Sequence, residues 1–352
     1  IMNIFRKKIL FVLCCVSAFL IGGDFLSAFG SGFYSPFTMP RAPFITSPGE
    51  EVHELDINSG SIKEIQQRID DARRENPEAV LVIRLSGTYK VKHKPLRLGS
   101  RMNLVLEEGS VLTAHPEISS HMVEFKGAAQ SGIYGPGPGQ EPGVIDGEMR
   151  APAGVKVTDS EKIHFIDIEV KNCLGDGIAY SGKGDDSFGG AGSIPGCTVS
   201  GNRGTGVSVD NAAQFVFTHN VIRGNEKGIV IDSHTSAVAD NIFRSNSQGG
   251  VFTHSENGVV ARNEFSGEGA SVSLSRQSKY NLVTYNSFAP DSIDASMTIS
   301  GEGNSIYYNE IGVDDFALEV EGESNINIKQ IGIYFARYGV IEIINLSDYY
   351  DK

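Results

Sequence analysis

The chain has 352 residues, of which 40% are hydrophobic and only 21% are charged, so it can bury a large core and is not intrinsically disordered. Its 43 acidic residues exceed its 30 basic residues and give a formal net charge of −13, which disfavours nucleic acid as a partner. The 41 glycines do not follow the three-residue repeat of collagen. This abundance of turn residues predicts an all-β protein built from many short strands.

The N-terminal segment has the composition of a secretory signal. Arg6, Lys7 and Lys8 precede an uncharged apolar run, 9–23, that is short for a membrane span. We predict that residues 1–30 are a signal peptide, so that the mature protein is secreted or periplasmic with no stable membrane span. An uncleaved N-terminal anchor is the alternative.

Two of the four cysteines, Cys173 and Cys197, fall in the predicted mature chain. An oxidising compartment would permit them to pair, but their spacing alone does not decide whether they do. Two cysteines do not make a disulfide scaffold, so the fold must be stabilised by a core.

Two segments precede the main domain. Residues 31–52, rich in proline, are predicted to form an extended lead-in. Ser61 and Glu64 then form a capping-box pattern at the start of an amphipathic helix near 61–74. The apolar positions of that helix are Ile62, Ile65, Ile69 and Ala72. We expect the helix to cap one end of a single domain that occupies 53–352.

Two short phrases recur along the chain with one shared period. In the first, alternating apolar residues follow Gly154, Gly177, Gly206, Gly228 and Gly250. In the second, an isoleucine or phenylalanine comes two residues after Asn220, Asn241, Asn263, Asn286 and Asn309, which recur every 21 to 23 residues. Such a period, without a helical pattern between the phrases, predicts a solenoid of stacked β-coils. Equivalent residues then form columns with a spacing of about 4.8 Å.

The asparagine column has a structural explanation and is given no catalytic role. Asparagine tolerates turn conformations, and stacked side-chain amides can hydrogen-bond from one coil to the next. Toward the C-terminus the pattern of strands continues through 326–334 and 340–346 without a polar cap. A truncated C-terminus therefore stays an open alternative.

Several N-terminal phrases together resemble the pectin-lyase-like right-handed parallel β-helix superfamily. They are the capping helix and the segments 85–91, 95–98, 104–112 and 143–147. These phrases, with Gly175-Asp176-Gly-Ile, are most similar to polygalacturonase-type glycoside hydrolases. The resemblance implies a right-handed parallel β-helix and implies a catalytic role for Asp176.

The catalytic motif set of those hydrolases is incomplete in this chain. They carry a second aspartate and then a histidine at the equivalent position of the next coils, where this sequence has Thr205 and Lys227. The resemblance therefore supports the fold more strongly than the reaction.

A polar column follows the strand-opening glycines at an interval of four residues. It consists of Ser181, Asp210, Asp232 and His254, with Ser275 as its next member. Because apolar residues alternate with these positions, Asp210, Asp232 and His254 should share one exposed face. Two carboxylates about 5 Å apart match a retaining glycosidase, and a neighbouring imidazole can move protons. We predict these three residues, with Asp176, to be catalytic.

Four more polar residues are predicted to bind substrate: His234, Arg276, Asp185 and Asp186. Arg276 suits a sugar carboxylate, or the base of a lyase. Asp185 and Asp186 belong to a glycine-rich insertion, 182–196, that suits the wall of a groove or weak calcium binding. Hydrolysis would need no cofactor, whereas β-elimination would employ Ca²⁺; the metal ligands stay unassigned.

The sequence thus predicts an exported, monomeric, carbohydrate-active β-helix that cleaves a polysaccharide by hydrolysis or by β-elimination. The alternative is a non-catalytic glycan-binding or cell-surface solenoid whose polar ladder only keeps the surface solvated. The chain has no tryptophan, so the aromatic candidates beside the groove are Tyr180, Phe188 and Phe252.

Overall fold

The computed structural model describes residues 49–137, 139–183, 191–292, 294–312, 316–321 and 327–333. The predicted signal peptide, 1–30, and most of the predicted lead-in, 31–52, lie outside these residues. The described part contains one helix, α1 (Ile62–Glu75), and many short strands, as the turn-rich composition predicts.

The strands follow one another with few residues between them. The first coils contain β1 (Val52–Ile57), β2 (Val80–Leu85), β3 (Thr88–Val91), β4 (Leu96–Leu98), β5 (Met102–Leu106), β6 (Val111–Ala114), β7 (Val123–Lys126), β8 (Ala129–Tyr134) and β9 (Gly143–Asp146). The middle coils contain β10 (Ala153–Ile166), β11 (Ile168–Lys171), β12 (Asp176–Gly182), β13 (Gly192–Pro195), β14 (Thr198–Ser200), β15 (Thr205–Thr218), β16 (Val221–Arg223), β17 (Lys227–Ala239) and β18 (Ile242–Arg244). The last coils contain β19 (Val251–Thr253), β20 (Val259–Ala261), β21 (Glu264–Ser266), β22 (Ser271–Leu274), β23 (Leu282–Thr284), β24 (Ser287–Phe288), β25 (Ser296–Ser300), β26 (Ser305–Ile311), β27 (Ala317–Glu321) and β28 (Asn327–Ile333).

Strands pair in parallel with the equivalent strands of the neighbouring coils, which gives three long sheets. Sheet A contains β4, β7, β12, β19, β22, β25, β27 and the first halves of β10, β15 and β17. Sheet B contains β1, β2, β5, β8, β13, β20, β23, the second halves of β10, β15 and β17, and the starts of β26 and β28. Sheet C contains β3, β6, β9, β11, β14, β16, β18, β21, β24 and the ends of β26 and β28. The predicted all-β, right-handed parallel β-helix is confirmed.

The core fills the inside of the coil with columns of identical or similar apolar side chains. Phe243, Phe265 and Phe288 stack with ring centroids 4.9 Å apart at each step. That distance is close to the strand spacing of a sheet, about 4.8 Å, so each ring packs directly against its equivalent in the next coil. Burial of such columns is the main favourable contribution to folding.

Helix α1 packs its apolar face on the strands of the first coils, as its spacing predicts. Ile62, Ile65, Ile69 and Ala72 are buried. The Ser61 side chain accepts a hydrogen bond from the Glu64 amide at 3.3 Å, and the Glu64 carboxylate accepts one from the Ser61 amide at 2.7 Å. The predicted capping box and capping helix are therefore confirmed.

A buried ladder of asparagines runs along one turn between sheets B and C. The distances from Nδ2 of one residue to Oδ1 of the next are 2.9 Å for Asn220–Asn241, 3.0 Å for Asn241–Asn263, 2.9 Å for Asn263–Asn286 and 2.9 Å for Asn286–Asn309. Each of these Oδ1 atoms also accepts the backbone N–H of the preceding asparagine, and each Nδ2 donates to a backbone carbonyl. The ladder provides hydrogen-bond partners for the backbone N–H and C=O groups buried in this turn, which confirms its structural role.

The two described cysteines are free, and Cys197 stands at the N-terminal end of the asparagine ladder. The amide of Cys197 donates to Oδ1 of Asn220 at 2.8 Å, and the amide of Cys173 donates to Oδ1 of Asn202 at 2.8 Å. Burial raises the pKa of each thiol to about 12. Both thiols therefore stay protonated at neutral pH and belong to the packing of separate turns.

Candidate functional site

The predicted polar column lies at the edge where sheet A turns into sheet B. Asp210 and Asp232 end the sheet A halves of β15 and β17, and His254 directly follows β19. The register pairs that fix this alignment are Ser181 with Asp210, Val209 with Ile231, Ile231 with Thr253, and Thr253 with Leu274. The sequence thus predicted the placement of the column, while the catalytic role of its residues stays a prediction.

A β-bulge aims the aspartates at this edge. The register between β15 and β17 shifts after Val209, so that Asp210 and Asn211 together face Asp232 alone. Asn211 has a φ of 54°, a left-handed conformation that asparagine tolerates better than most residues. Bulges bend a strand and re-aim its side chains, and here the bend carries both strands from sheet A into sheet B.

One side-chain contact within the column joins Asp232 and His254. Oδ2 of Asp232 lies 3.9 Å from Nδ1 of His254, and the two side chains are 58% and 45% exposed. Asp210, one coil earlier, is also exposed. In such a solvated setting an ion pair contributes little to folding stability.

The predicted substrate-binding residues have different placements. His234 is exposed on β17, two residues after Asp232. Arg276 is exposed in the turn after β22 and so lies near the same edge of sheet A. Asp185 and Asp186 lie outside the described residues, so their predicted role is untested.

Asp176 lies at the opposite edge of sheet A, in one column with Thr205 and Lys227. Its Oδ1 accepts a hydrogen bond from the Thr205 amide at 2.8 Å. Burial raises the pKa of the Asp176 carboxyl, and the hydrogen bonds from Thr205 partly oppose that rise. The register thus aligns Thr205 and Lys227 with Asp176 in the next two coils, as the repeat in the sequence predicts.

Between these two edges the outer surface of sheet A carries uncharged side chains in four successive coils. They are Ala179, Ser208, Val230 and Phe252, which align in register and are half-buried. The placement of Tyr180 beside the groove was wrong. Tyr180 is 1% exposed because it alternates into the core, where its hydroxyl donates to the Ala191 carbonyl at 3.0 Å. Phe188 lies outside the described residues.

One contact on this surface was not predicted. Nζ of Lys227 lies 5.4 Å from the centroid of the Phe252 ring, within the range of a cation–π interaction. The sequence contains the needed signals, because Phe252 alternates outward and Lys227 opens the strand one coil earlier. Their contact depends on side-chain direction, which the pattern does not specify.

The described residues include no group of three or more His, Cys, Asp or Glu side chains placed to hold a metal ion. In the same part of the chain, no helix is both long and apolar enough to cross a membrane.

Solved structures with a similar fold come from several sources. A mutant tailspike protein of Escherichia coli bacteriophage HK620, in complex with a pentasaccharide, is 11% identical, with a TM-score of 0.51 over 84% of this chain and 66% of that chain. A polygalacturonase from Erwinia carotovora ssp. carotovora is 13% identical, with a TM-score of 0.49 over 83% of this chain and 99% of that chain. An exopolygalacturonase from Thermotoga maritima is 11% identical, with a TM-score of 0.39 over 79% of this chain and 93% of that chain. The similarity to the tailspike structure agrees with the parallel β-helix fold that the sequence predicts.

Sequence comparison adds one family. Residues 132–312, just over half of the chain, match the sequence model of the NosD family, described as periplasmic copper-binding protein. No curated protein matches the chain. The matched residues include the polar column, the asparagine ladder and both described cysteines.

Proposed function

The chain belongs to the NosD family, and from that premise we propose that it is an exported, periplasmic carbohydrate-active β-helix protein. It binds a polysaccharide on the outer surface of sheet A and cleaves it there. The family description supports the periplasm, and the tailspike structure in complex with a pentasaccharide supports a carbohydrate ligand for a protein of this fold.

The observation that carries this proposal is the exposed column of Asp210, Asp232 and His254. It lies beside the uncharged outer surface of sheet A described above. The strand spacing of a parallel sheet separates the two aspartates by about 5 Å, which suits the two carboxylates of a retaining glycosidase. One carboxylate then attacks the anomeric carbon and the bond to the leaving oxygen breaks, while the other, in its protonated form, donates its proton to that oxygen. Water, deprotonated by this second carboxylate, then hydrolyses the bond between sugar and enzyme and restores both groups. His254, 3.9 Å from Asp232, is placed to exchange that proton with solvent.

The described residues do not fit a copper centre, although the family is described as copper-binding. The thiols of Cys173 and Cys197 are the softest candidate ligands, yet both are buried in separate turns and protonated at neutral pH. No step of the proposed reaction uses copper.

The experiment incubates the purified mature protein with neutral and acidic polysaccharides, with and without calcium. Reducing ends and the ultraviolet absorbance of unsaturated uronates are followed together. We expect reducing ends alone, without a calcium requirement, because two paired carboxylates suit hydrolysis. Both signals together, with a calcium requirement, would instead support β-elimination with Arg276 as the base.

Matched variants connect the activity to the column. Asp232→Asn and His254→Gln should each lose most of the activity, whereas Asp56→Asn, an exposed aspartate on β1, should retain it. If a glycan binds but no product appears on any substrate, cleavage is excluded for that panel and a non-catalytic glycan-binding solenoid replaces it. If no glycan binds, the carbohydrate proposal itself fails.

A further inference from the structure

Three tyrosines are exposed on the last coils of the solenoid. Tyr280, Tyr285 and Tyr308 are 44%, 44% and 52% exposed, and they are half of the six large hydrophobic side chains that are exposed in the described part of the chain. Tyr285 and Tyr308 stack on each other, with ring centroids 5.3 Å apart and an angle of 15° between the ring planes. Much of the exposed apolar surface is therefore concentrated in one place.

The backbone at these tyrosines does not favour an aromatic residue. Their φ angles are 56°, 54° and 57°, in the left-handed region that glycine, asparagine and aspartate tolerate best. Tyr285 and Tyr308 each precede a member of the asparagine ladder, and the equivalent positions of earlier coils include Gly196 and Asp240. Neither the turn conformation nor burial accounts for tyrosine at these positions.

The tyrosines flank the outer face of sheet B. Tyr280 comes shortly before β23 and Tyr285 directly after it, so the two residues lie at opposite edges of the sheet. Between these edges a column of uncharged, half-buried side chains runs through five coils: Val216, Ala237, Val259, Leu282 and Ser305. We call these five side chains and the three tyrosines the sheet B face.

The charge of the sheet B face differs from that of the whole chain. The chain carries a formal net charge of −13, whereas the face consists of uncharged residues. The charged pair beside it, Asp240 and Arg262, is neutralised within the chain by two hydrogen bonds of 2.7 and 2.6 Å. In a two-fold symmetric contact a surface meets its own copy, so any net charge on it would be repelled. An uncharged face on an acidic protein meets this condition.

We propose that the sheet B face joins two copies of this protein in a symmetric dimer. Tyrosines around an apolar centre, with an arginine at the edge, are typical of protein–protein interfaces. Five coils at about 4.8 Å each and five strand residues at about 3.3 Å each give roughly 400 Å² of flat area per chain. With the protruding tyrosines, two such faces approach the total of about 1,000 Å² that a specific interface needs.

The dimer replaces the monomer that the sequence predicts. Its contact lies on sheet B, whereas the proposed carbohydrate site lies on sheet A. The two proposals therefore stand or fail independently.

Sedimentation equilibrium of the purified protein, at about 1 to 100 μM, measures the mass of the particle. We expect a dimer at the upper concentrations. Association should strengthen as salt rises from about 0.05 to 0.5 M, because salt screens the repulsion between two acidic chains and the face has no ion pair to lose.

Matched variants locate the contact. Val259→Asp buries a carboxylate in the apolar centre and should weaken association at least about 100-fold. Val221→Asp is the control, because Val221 is also a half-buried, outward valine but lies on sheet C. This control should associate as wild type does.

A further variant separates the contact from the fold. Tyr285→Asn combined with Tyr308→Asn removes both rings but suits the left-handed turn, so the thermal midpoint should not fall while association weakens at least about tenfold. A wild type that is monomeric at about 100 μM would overturn the proposal. So would a dimer that the two asparagines leave intact, that Val221→Asp disrupts as strongly as Val259→Asp, or that salt dissociates.

Discussion

The buried asparagine ladder and the exposed Asp210–His254 column are two sets of polar residues stacked on the same coils. In the ladder one residue type repeats from Asn220 to Asn309, and every amide is hydrogen-bonded to the next coil. In the column the residue type changes at almost every coil, and Asp232 and His254, both exposed, are 3.9 Å apart.

The difference lies in what burial requires of a polar side chain. A buried polar group must be paired, so the same residue recurs wherever the same turn is buried. An exposed position is free of that requirement, and its residue type can follow the needs of a ligand. Four experiments test this distinction, beginning with the largest expected effect.

Replacing Asn263 with alanine should destabilise the protein by about 3 kcal/mol, since several buried groups lose partners at once. Oδ1 of Asn263 accepts from both the amide and the side chain of Asn241, and its Nδ2 donates to Val238. Urea unfolding with hydrogen exchange on the neighbouring coils measures the loss. Asp210→Ala on the exposed column is the control and should change stability by less than about 0.5 kcal/mol.

Asp232→Asn should change stability by less than about 0.5 kcal/mol but reduce cleavage at least about 100-fold, if the column is catalytic. The exposed Asp232 contributes little to folding, whereas a missing carboxylate removes one reacting group. Thermal unfolding and product formation are measured on the same sample. A variant that unfolds easily, or that cleaves as fast as wild type, would contradict the separation of the two roles.

Cys197 tests whether the ladder tolerates a different atom at its end. The backbone amide of Ile168 hydrogen-bonds its sulfur, so the thiol takes the place of an asparagine Oδ1. Cys197→Val leaves that amide without an acceptor and should cost roughly 1–2 kcal/mol, while Cys197→Ser retains one and should cost less. Equal losses in the two variants, by urea unfolding, would show that volume rather than hydrogen bonding matters here.

Asp167 gives a smaller effect that depends on pH. Burial raises the pKa of its carboxyl to about 6, so folding favours the protonated form. The stability that this group contributes is therefore fully present below its unfolded pKa, near 4, and is lost as pH rises through about 6. Asp167→Asn should raise the thermal midpoint more at pH 7.5 than at pH 4.5, because asparagine stays neutral and suits a φ of 54°. A pH-independent change would show that the carboxyl is not the cause.

The amount that could be predicted differs between the fold and the site. The period of the asparagines and glycines indicated the coil, and the spacing of Ile62, Ile65 and Ile69 indicated the capping helix. The same alternation placed Asp210, Asp232 and His254 in one column, because one fixed repeat length transfers register from coil to coil.

Prediction of the site was poorer wherever side-chain direction matters. Tyr180 was placed at the surface although its own strand alternation turns it into the core. The contact of Lys227 with Phe252 was not expected, since a strand-opening residue leaves the regular alternation. The bulge at Asn211 could not be predicted from the sequence either. An extra residue at the turn from sheet A to sheet B leaves the hydrophobic pattern on both sides unchanged.

By itself the sequence determined the repeat, the cap and the identity of the stacked columns, because a solenoid contacts only its neighbouring coils and repeats in sequence become repeats in space. Only the tertiary structure decided which polar residues are buried and paired, that the thiols stay apart, and that Lys227 lies over Phe252. These features depend on turn geometry and side-chain packing between coils, which a periodic pattern does not encode.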